Sequence, residues 1–225
     1  DNGQTWEQEP KRLPVPFIFD ATDGPIMKLQ DGSALICVYG RTVDAKYDMV
    51  AFCRSTDSGD TWELLSTLST DHEMSETAVA QLSDGRLVLI ARPEGDIAWS
   101  RDNGRSWTRP VPFGIRLFEP RLMALRDGTL LCLHGSYGAG GFRAMLSTDG
   151  GETWLCPHEK WGFPVDPSVY GYGQAVELPD GSIWAAYIHT GGHATEDAKT
   201  EALWSIRLRV RPGLDGIDLL PAPGT

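Results

Sequence analysis

The sequence predicts an all-β chain of repeated four-stranded antiparallel blades, a β-propeller, and three observations carry that prediction. Ser55-Thr56-Asp57-Ser58-Gly59-Asp60-Thr61-Trp62 recurs as Ser100-Arg101-Asp102-Asn103-Gly104-Arg105-Ser106-Trp107 and again as Ser147-Thr148-Asp149-Gly150-Gly151-Glu152-Thr153-Trp154. The opening Asp1–Trp6 is the same motif without its serine, and the motif tryptophans stand 56, 45 and 47 residues apart, the period of four-stranded propeller blades. A second repeat runs out of phase with the first: Asp31-Gly32, Asp84-Gly85, Asp127-Gly128 and Asp180-Gly181 each lie between two apolar, β-prone runs, a strong hairpin signal. No segment of helical length shows a 3.6-residue period.

Each element has a local reason. In the tryptophan motif, Ser and Asp side chains cap the backbone of a tight turn, Gly supplies positive φ, and Trp staples the hairpin to a neighbouring layer. A unit therefore reads strand, Asp-Gly turn, strand, loop, strand, Ser-x-Asp-x-Gly turn, strand. The units run over 15–66, 74–110, 116–160 and 168–211, with an extra strand expected at 4–12. The last unit shows three strands, ending in Ala202–Val210, and lacks a terminal motif; the Pro/Gly-rich stretch Pro212–Thr225 is expected to be irregular. Residues 1–225 form one domain in this reading. Its opening in mid-motif favours the C-terminal two-thirds of a six-bladed ring; the alternative is a four-bladed ring closed by strand 4–12 onto the last unit.

Composition narrows the function. Of 225 residues, 41% are hydrophobic and 23% charged, with a net charge of −11. A field of that sign repels nucleic acid and anionic lipid, so an anionic ligand needs a local basic cluster. No run approaches the roughly 20 apolar residues of a membrane span, which predicts a soluble chain. Cys37, Cys53, Cys132 and Cys156 have no metal-ligand spacing, and no motif suggests a metal, nucleotide or redox cofactor. The first residues carry neither an initiator Met nor a signal peptide, so the compartment is not legible.

Counting back eight residues from Asp31, Asp84, Asp127 and Asp180 reaches Asp23, Glu76, Glu119 and Tyr172. All four open the innermost strand of their unit and are expected to ring the mouth of a central tunnel. The plainer alternative is that they satisfy backbone groups around a water-filled channel.

The tryptophan motifs are Asp-boxes, and the chain resembles the sialidase (neuraminidase) superfamily of Asp-box propellers over nearly its whole length. The Asp-box itself specifies fold, and other proteins share it. The resemblance implies a tyrosine nucleophile activated by a glutamate, because a carboxylate nucleophile would be repelled by the substrate's own carboxylate. It also implies arginines that clamp that carboxylate and a separate aspartate as acid/base. Ser75–Leu87 resembles the segment with the activating glutamate, which points to Glu76, and Gly171–Gly181 resembles the nucleophile segment, which points to Tyr172, with Tyr170 as its neighbour. Arg92 and Arg143 stand at clamp positions; the alternative for Arg92 is an edge arginine paired with Glu94 or Asp96. Tyr39–Asp44 resembles the acid/base loop, making Asp44 the candidate and Asp48 a poorer one, while Glu119, Asp23 and Arg41 are expected to line the substrate pocket.

Two positions depart from the family. Thr22-Asp23-Gly24-Pro25-Ile26 has no Arg where the family carries Arg-Ile-Pro, and Ile188 stands where a Glu often follows the last hairpin. The implied activity is an exo-glycoside hydrolase cleaving terminal sialic acid, or a related acidic sugar, from glycoconjugates. A non-catalytic propeller binding a glycan or protein is the alternative. A third reading is a neutral-sugar glycosidase with Glu76 and Glu119 as its acid/base pair.

Overall fold

The computed structural model describes residues 3–7, 9–155, 162–167, 171–188 and 203–221. Four antiparallel sheets follow one another along the chain, and no helix occurs among the described residues. The first contains β1 (Phe19–Ala21), β2 (Met27–Lys28), β3 (Ala34–Arg41), β4 (Met49–Ser55) and β5 (Glu63–Leu68). β1 and β2 are two halves of one inner strand, both paired with β3 and separated by the Gly24-Pro25 break. The second blade runs β6 (Ser75–Gln81), β7 (Leu87–Arg92), β8 (Asp96–Ser100) and β9 (Val111–Pro112). The third runs β10 (Leu117–Ala124), β11 (Leu130–Ser136), β12 (Phe142–Ser147) and β13 (Phe163–Asp166). The fourth runs β14 (Gly171–Glu177), β15 (Ile183–Ile188), β16 (Leu203–Val210) and β17 (Ile217–Leu220).

Two expectations at the ends are corrected. The described part of 4–12 forms no strand; Pro10 within it has no amide to give a ladder, and Pro14 and Pro16 interrupt the stretch that follows. Instead Leu13, Val15 and Phe17 lie against Val38 and Ala51, covering the outer face of the first blade. At the other end the fourth blade supplies its own last strand. The chain reverses at Arg211–Gly216, where the Arg211 amide donates to the Gly216 carbonyl at 3.0 Å, and Ile217 enters the core. The fourth blade therefore does not borrow strand 4–12.

The Asp-Gly hairpins share one geometry. The Gly32, Gly85, Gly128 and Gly181 amides each donate to the leucine carbonyl three residues back. All four glycines have φ between 77° and 91°, a conformation that costs an L-residue about 1 kcal/mol or more. Apolar side chains from successive blades close three interfaces. Leu35 and Phe52 meet Leu87 and Leu89; Val88 and Ile90 meet Leu130 and Cys132; Leu131 and Leu133 meet Ile183 and Tyr187. Each such side chain contributes on the order of 1.5–3 kcal/mol when fully buried.

The Asp-boxes lock the outer turns. In the third copy Ser147 Oγ donates to Asp149 Oδ1 at 2.8 Å and accepts from the Gly151 amide at 2.8 Å. Asp149 also accepts from the Thr153 amide at 2.9 Å and the Thr153 hydroxyl at 2.5 Å. The other two copies repeat this network, and in the first, Thr61 followed by Ser55 holds the Asp57 carboxyl down at about 2. The tryptophans reach back to the preceding blade: Trp107 stacks on Phe52 with centroids 4.4 Å apart, and Trp154 lies 5.8 Å from Phe113. Asp149→Ala leaves the Thr153 amide and hydroxyl without their acceptor. It should remove about 2 kcal/mol, a fall in Tm of about 4–8 °C, measured by calorimetry.

Candidate active site

The inner strands deliver their first residues to the axis by a shared distortion. The ladder slips between Ser75 and Ala78 in β6, between Phe118 and Arg121 in β10, and between Gly171 and Gln174 in β14. Within these bulges Glu76, Glu119 and Tyr172 adopt φ of 41°, 39° and 59°. An L-residue held in the left-handed region costs of order 1–3 kcal/mol, and bulges of this kind re-aim a side chain. The first blade reaches the same result differently, because Asp23 sits in the gap between β1 and β2.

Five of the anticipated residues, Asp23, Glu76, Arg92, Glu119 and Tyr172, meet there. Glu76, only 6% exposed, is the hub. One of its carboxylate oxygens accepts from the Tyr172 hydroxyl at 3.2 Å and from Arg92 Nη1; the other accepts from the Glu119 amide at 2.8 Å. The Arg92 Nε donates to the Tyr137 hydroxyl at 2.8 Å. Phe118 packs edge-on against Tyr137 at 5.0 Å and lies 5.8 Å from the Tyr172 ring. Gln174 Nε2 donates to the Asp23 carbonyl at 3.0 Å, joining the fourth blade to the first at the axis.

Burial raises two of the carboxyls at this mouth. Burial, then the charges of Asp23 and Glu76, push the Glu119 carboxyl up to about 8, so it holds a proton at neutral pH. Burial and then Glu76 also raise Asp23, opposed by a hydrogen bond from Tyr39. Burial followed by the Glu76 charge raises Tyr172, keeping its hydroxyl protonated at rest. One buried oxygen of each of Glu119 and Asp23 has no hydrogen-bond partner within the described residues. For Glu119 the sign of linkage follows directly. The folded state retains a proton that the unfolded chain releases near 4.5, so stability falls as pH rises from about 4.5 to about 8. Glu119→Gln should therefore gain on the parent by about 1–2 kcal/mol between pH 5 and pH 9, a value discounted for partial exposure. Thermal melts across that range measure the gain.

The remaining anticipated residues make no direct bond to this cluster among the described residues. Asp44 is exposed in the loop after β3. Arg41 is exposed and pairs with the buried Asp48 at 3.3 Å. Arg143 donates to the Gly140 and Gly162 carbonyls at 2.9 and 3.2 Å, and among the described residues no hydrogen bond or ion pair joins it to Glu76, Arg92 or Tyr172. The alternative partners of Arg92 are otherwise engaged: Glu94 binds Arg116 and Asp96 binds His72. Tyr170 lies outside the described residues. Tyr39 and Tyr137 were not singled out from the sequence. Tyr39 stands eight residues after Asp31, as Arg92 stands eight after Asp84, so a forward count in the repeat reaches it. Tyr137 occupies a loop beyond the repeat and gives no such signal.

Fold and repeat together define an Asp-box β-propeller of the sialidase type. The chain belongs to the BNR repeat-like domain family, which matches residues 1–159. No curated protein sequence matches it. Among solved structures it is similar to the Hadza microbial sialidase Hz136, with 18% identity, a TM-score of 0.60, and coverage of 82% of this chain and 43% of that one. It is similar to the Penicillium chrysogenum alpha-L-arabinanase at 17% identity and TM-score 0.60, over 89% of this chain and 67% of that one. The GH93 alpha-L-arabinofuranosidase of Fusarium graminearum gives 15% identity and TM-score 0.59, over 86% and 64%. The chain thus spans less than half the length of the sialidase. These likenesses concern the fold.

Proposed function

We propose that the axial mouth is the active site of an exo-acting glycoside hydrolase in which Tyr172 is the nucleophile, Glu76 its base and Glu119 the general acid. The observation that carries this reading is the hydrogen bond from the Tyr172 hydroxyl to Glu76, 3.2 Å long, beside a carboxyl that stays protonated at neutral pH. Glu76 accepts the phenolic proton as Tyr172 attacks the anomeric carbon, and Glu119 donates a proton to the departing oxygen. A water then attacks the glycosyl–tyrosine bond, giving its proton to the Glu119 carboxylate, and Tyr172 recovers its proton from Glu76. Glu119 takes the acid role that the sequence suggests for Asp44, because Glu119 is bonded through its amide to Glu76, whereas Asp44 is exposed and forms no hydrogen bond or ion pair with the cluster among the described residues.

The narrower reading is a terminal sialic acid or related acidic sugar as substrate, with Arg92 meeting its carboxylate. A tyrosine nucleophile favours that class, since the attacking group is uncharged at rest. A neutral sugar is favoured by a different observation. Arg92 already serves Glu76 and Tyr137, and Arg143 serves two carbonyls, so a neutral substrate would leave these bonds intact. Hydrolysis of a fluorogenic aryl sialoside beside an aryl arabinofuranoside tests the proposal. Turnover of the first supports the acidic-sugar reading and turnover of the second the neutral one. Turnover of neither, with a glycan still bound, supports a non-catalytic propeller.

A further inference from the structure

The inner strands lead from the catalytic mouth towards the Asp-Gly hairpins, and a cation stands along that path. Arg121, two residues after Glu119 and the first to resume the β10 ladder, lines a void of about 20 Å³ together with Asp23, Thr77 and Gln174. It also lines a broader basin of about 550 Å³ at the hairpin end. Its Nε is buried and has no hydrogen-bond partner, and Arg121 forms no ion pair among the described residues. Burial alone pushes its pKa down, with no neighbouring carboxylate acting to raise it. A part-buried guanidinium without an acceptor is costly, by several kcal/mol for a fully desolvated charge.

Two of the side-chain acceptors around the basin are engaged by backbone amides. Glu177 accepts from the Arg126 amide at 3.0 Å, and Gln81 Oε1 accepts from the Gln30 amide at 2.7 Å. Lys28, on β2, adds an exposed second cation to the same lining. In a chain of net charge −11, a basin with two cations and its carboxylate already engaged is locally complementary to an anion. The void on the mouth side is large enough for about one water, whereas the basin is of ligand size.

The geometry points to a second binding site at the hairpin end of the axis, in which Arg121 and Lys28 hold a small oxyanion, a phosphate or a carboxylate. The guanidinium presents paired donors that match either group, and Lys28 adds charge at the rim. This site is separate from the mouth and does not rest on the glycosidase reading.

Titration of the full chain with inorganic phosphate, and separately with acetate, at low ionic strength tests it by calorimetry and by thermal shift. Saturable binding of either probe is expected, and the two arms distinguish a phosphate from a carboxylate preference. Arg121→Met should weaken binding at least ~10-fold, the loss of one charge-assisted pair, while Arg92→Met at the mouth should leave it unchanged. Lys28→Gln, an exposed change compatible with folding, should weaken it by about 3-fold. Absence of binding in the parent overturns the proposal. So does binding unaltered by Arg121→Met, or binding lost through Arg92→Met alone. If Arg121→Met fails to fold, unaltered affinity in Lys28→Gln overturns it.

Discussion

Tyr172→Phe should lower turnover of an activated aryl glycoside at least ~10³-fold, because the variant has no nucleophile to form the glycosyl intermediate. The fold should barely notice. The ring keeps its place 5.8 Å from Phe118, and Glu76 keeps Arg92 and the Glu119 amide as partners. A change in Tm within about 2–4 °C is expected, equivalent to the single net hydrogen bond removed. A fluorinated glycosyl donor supplies the direct measurement: mass spectrometry should find the sugar on the peptide containing Tyr172 in the parent and on none in the variant. A labelled carboxylate in place of the tyrosine would overturn the assignment and favour the neutral-sugar scheme.

Glu76→Ala should damage catalysis and stability together. The Glu76 carboxylate binds groups from three blades: its own Arg92, the Glu119 amide of the third blade, and the Tyr172 hydroxyl of the fourth. Its removal leaves a part-buried guanidinium with only the Tyr137 hydroxyl and leaves a backbone amide unpaired. Breaking a fully buried pair costs about 3–5 kcal/mol. Here 33% of the Arg92 side chain is exposed, so about 2–3 kcal/mol is the appropriate expectation, a fall of about 4–12 °C in Tm. Glu76→Gln separates the two effects. It retains an oxygen and the approximate shape, so it should recover much of the stability, yet it cannot accept the tyrosine proton, so turnover should remain lost. Thermal melts and single-turnover rates on the pair of variants measure this. A Gln variant as active as the parent would remove Glu76 from the base role.

The blades were legible because their signals are local. Asp-box side chains bond within five residues, and each Asp-Gly turn closes on its own leucine, so sequence spacing already contains the geometry. The repeat also placed Asp23, Glu76, Glu119 and Tyr172 on equivalent positions. It could not reveal why these side chains reach the axis, because a ladder slip and a left-handed residue depend on the neighbouring strand and leave no mark in residue type. Arg121 escaped for a similar reason: within an apolar strand, nothing but packing tells a tunnel-facing arginine from a surface one. The ends misled in opposite directions. The stretch 4–12 reads as an extra strand although its described part forms none, whereas the Pro/Gly turn at 212–216 conceals the short strand beyond it.

The recurrent bulge has a consequence for how such a molecule changes its chemistry. Any side chain installed at one of those equivalent positions is handed to the same spot by the backbone, whatever its identity. Acid, base and nucleophile become interchangeable fittings on a fixed chassis, so one scaffold can be retuned to a different sugar by exchanging a few residues without redesigning a loop.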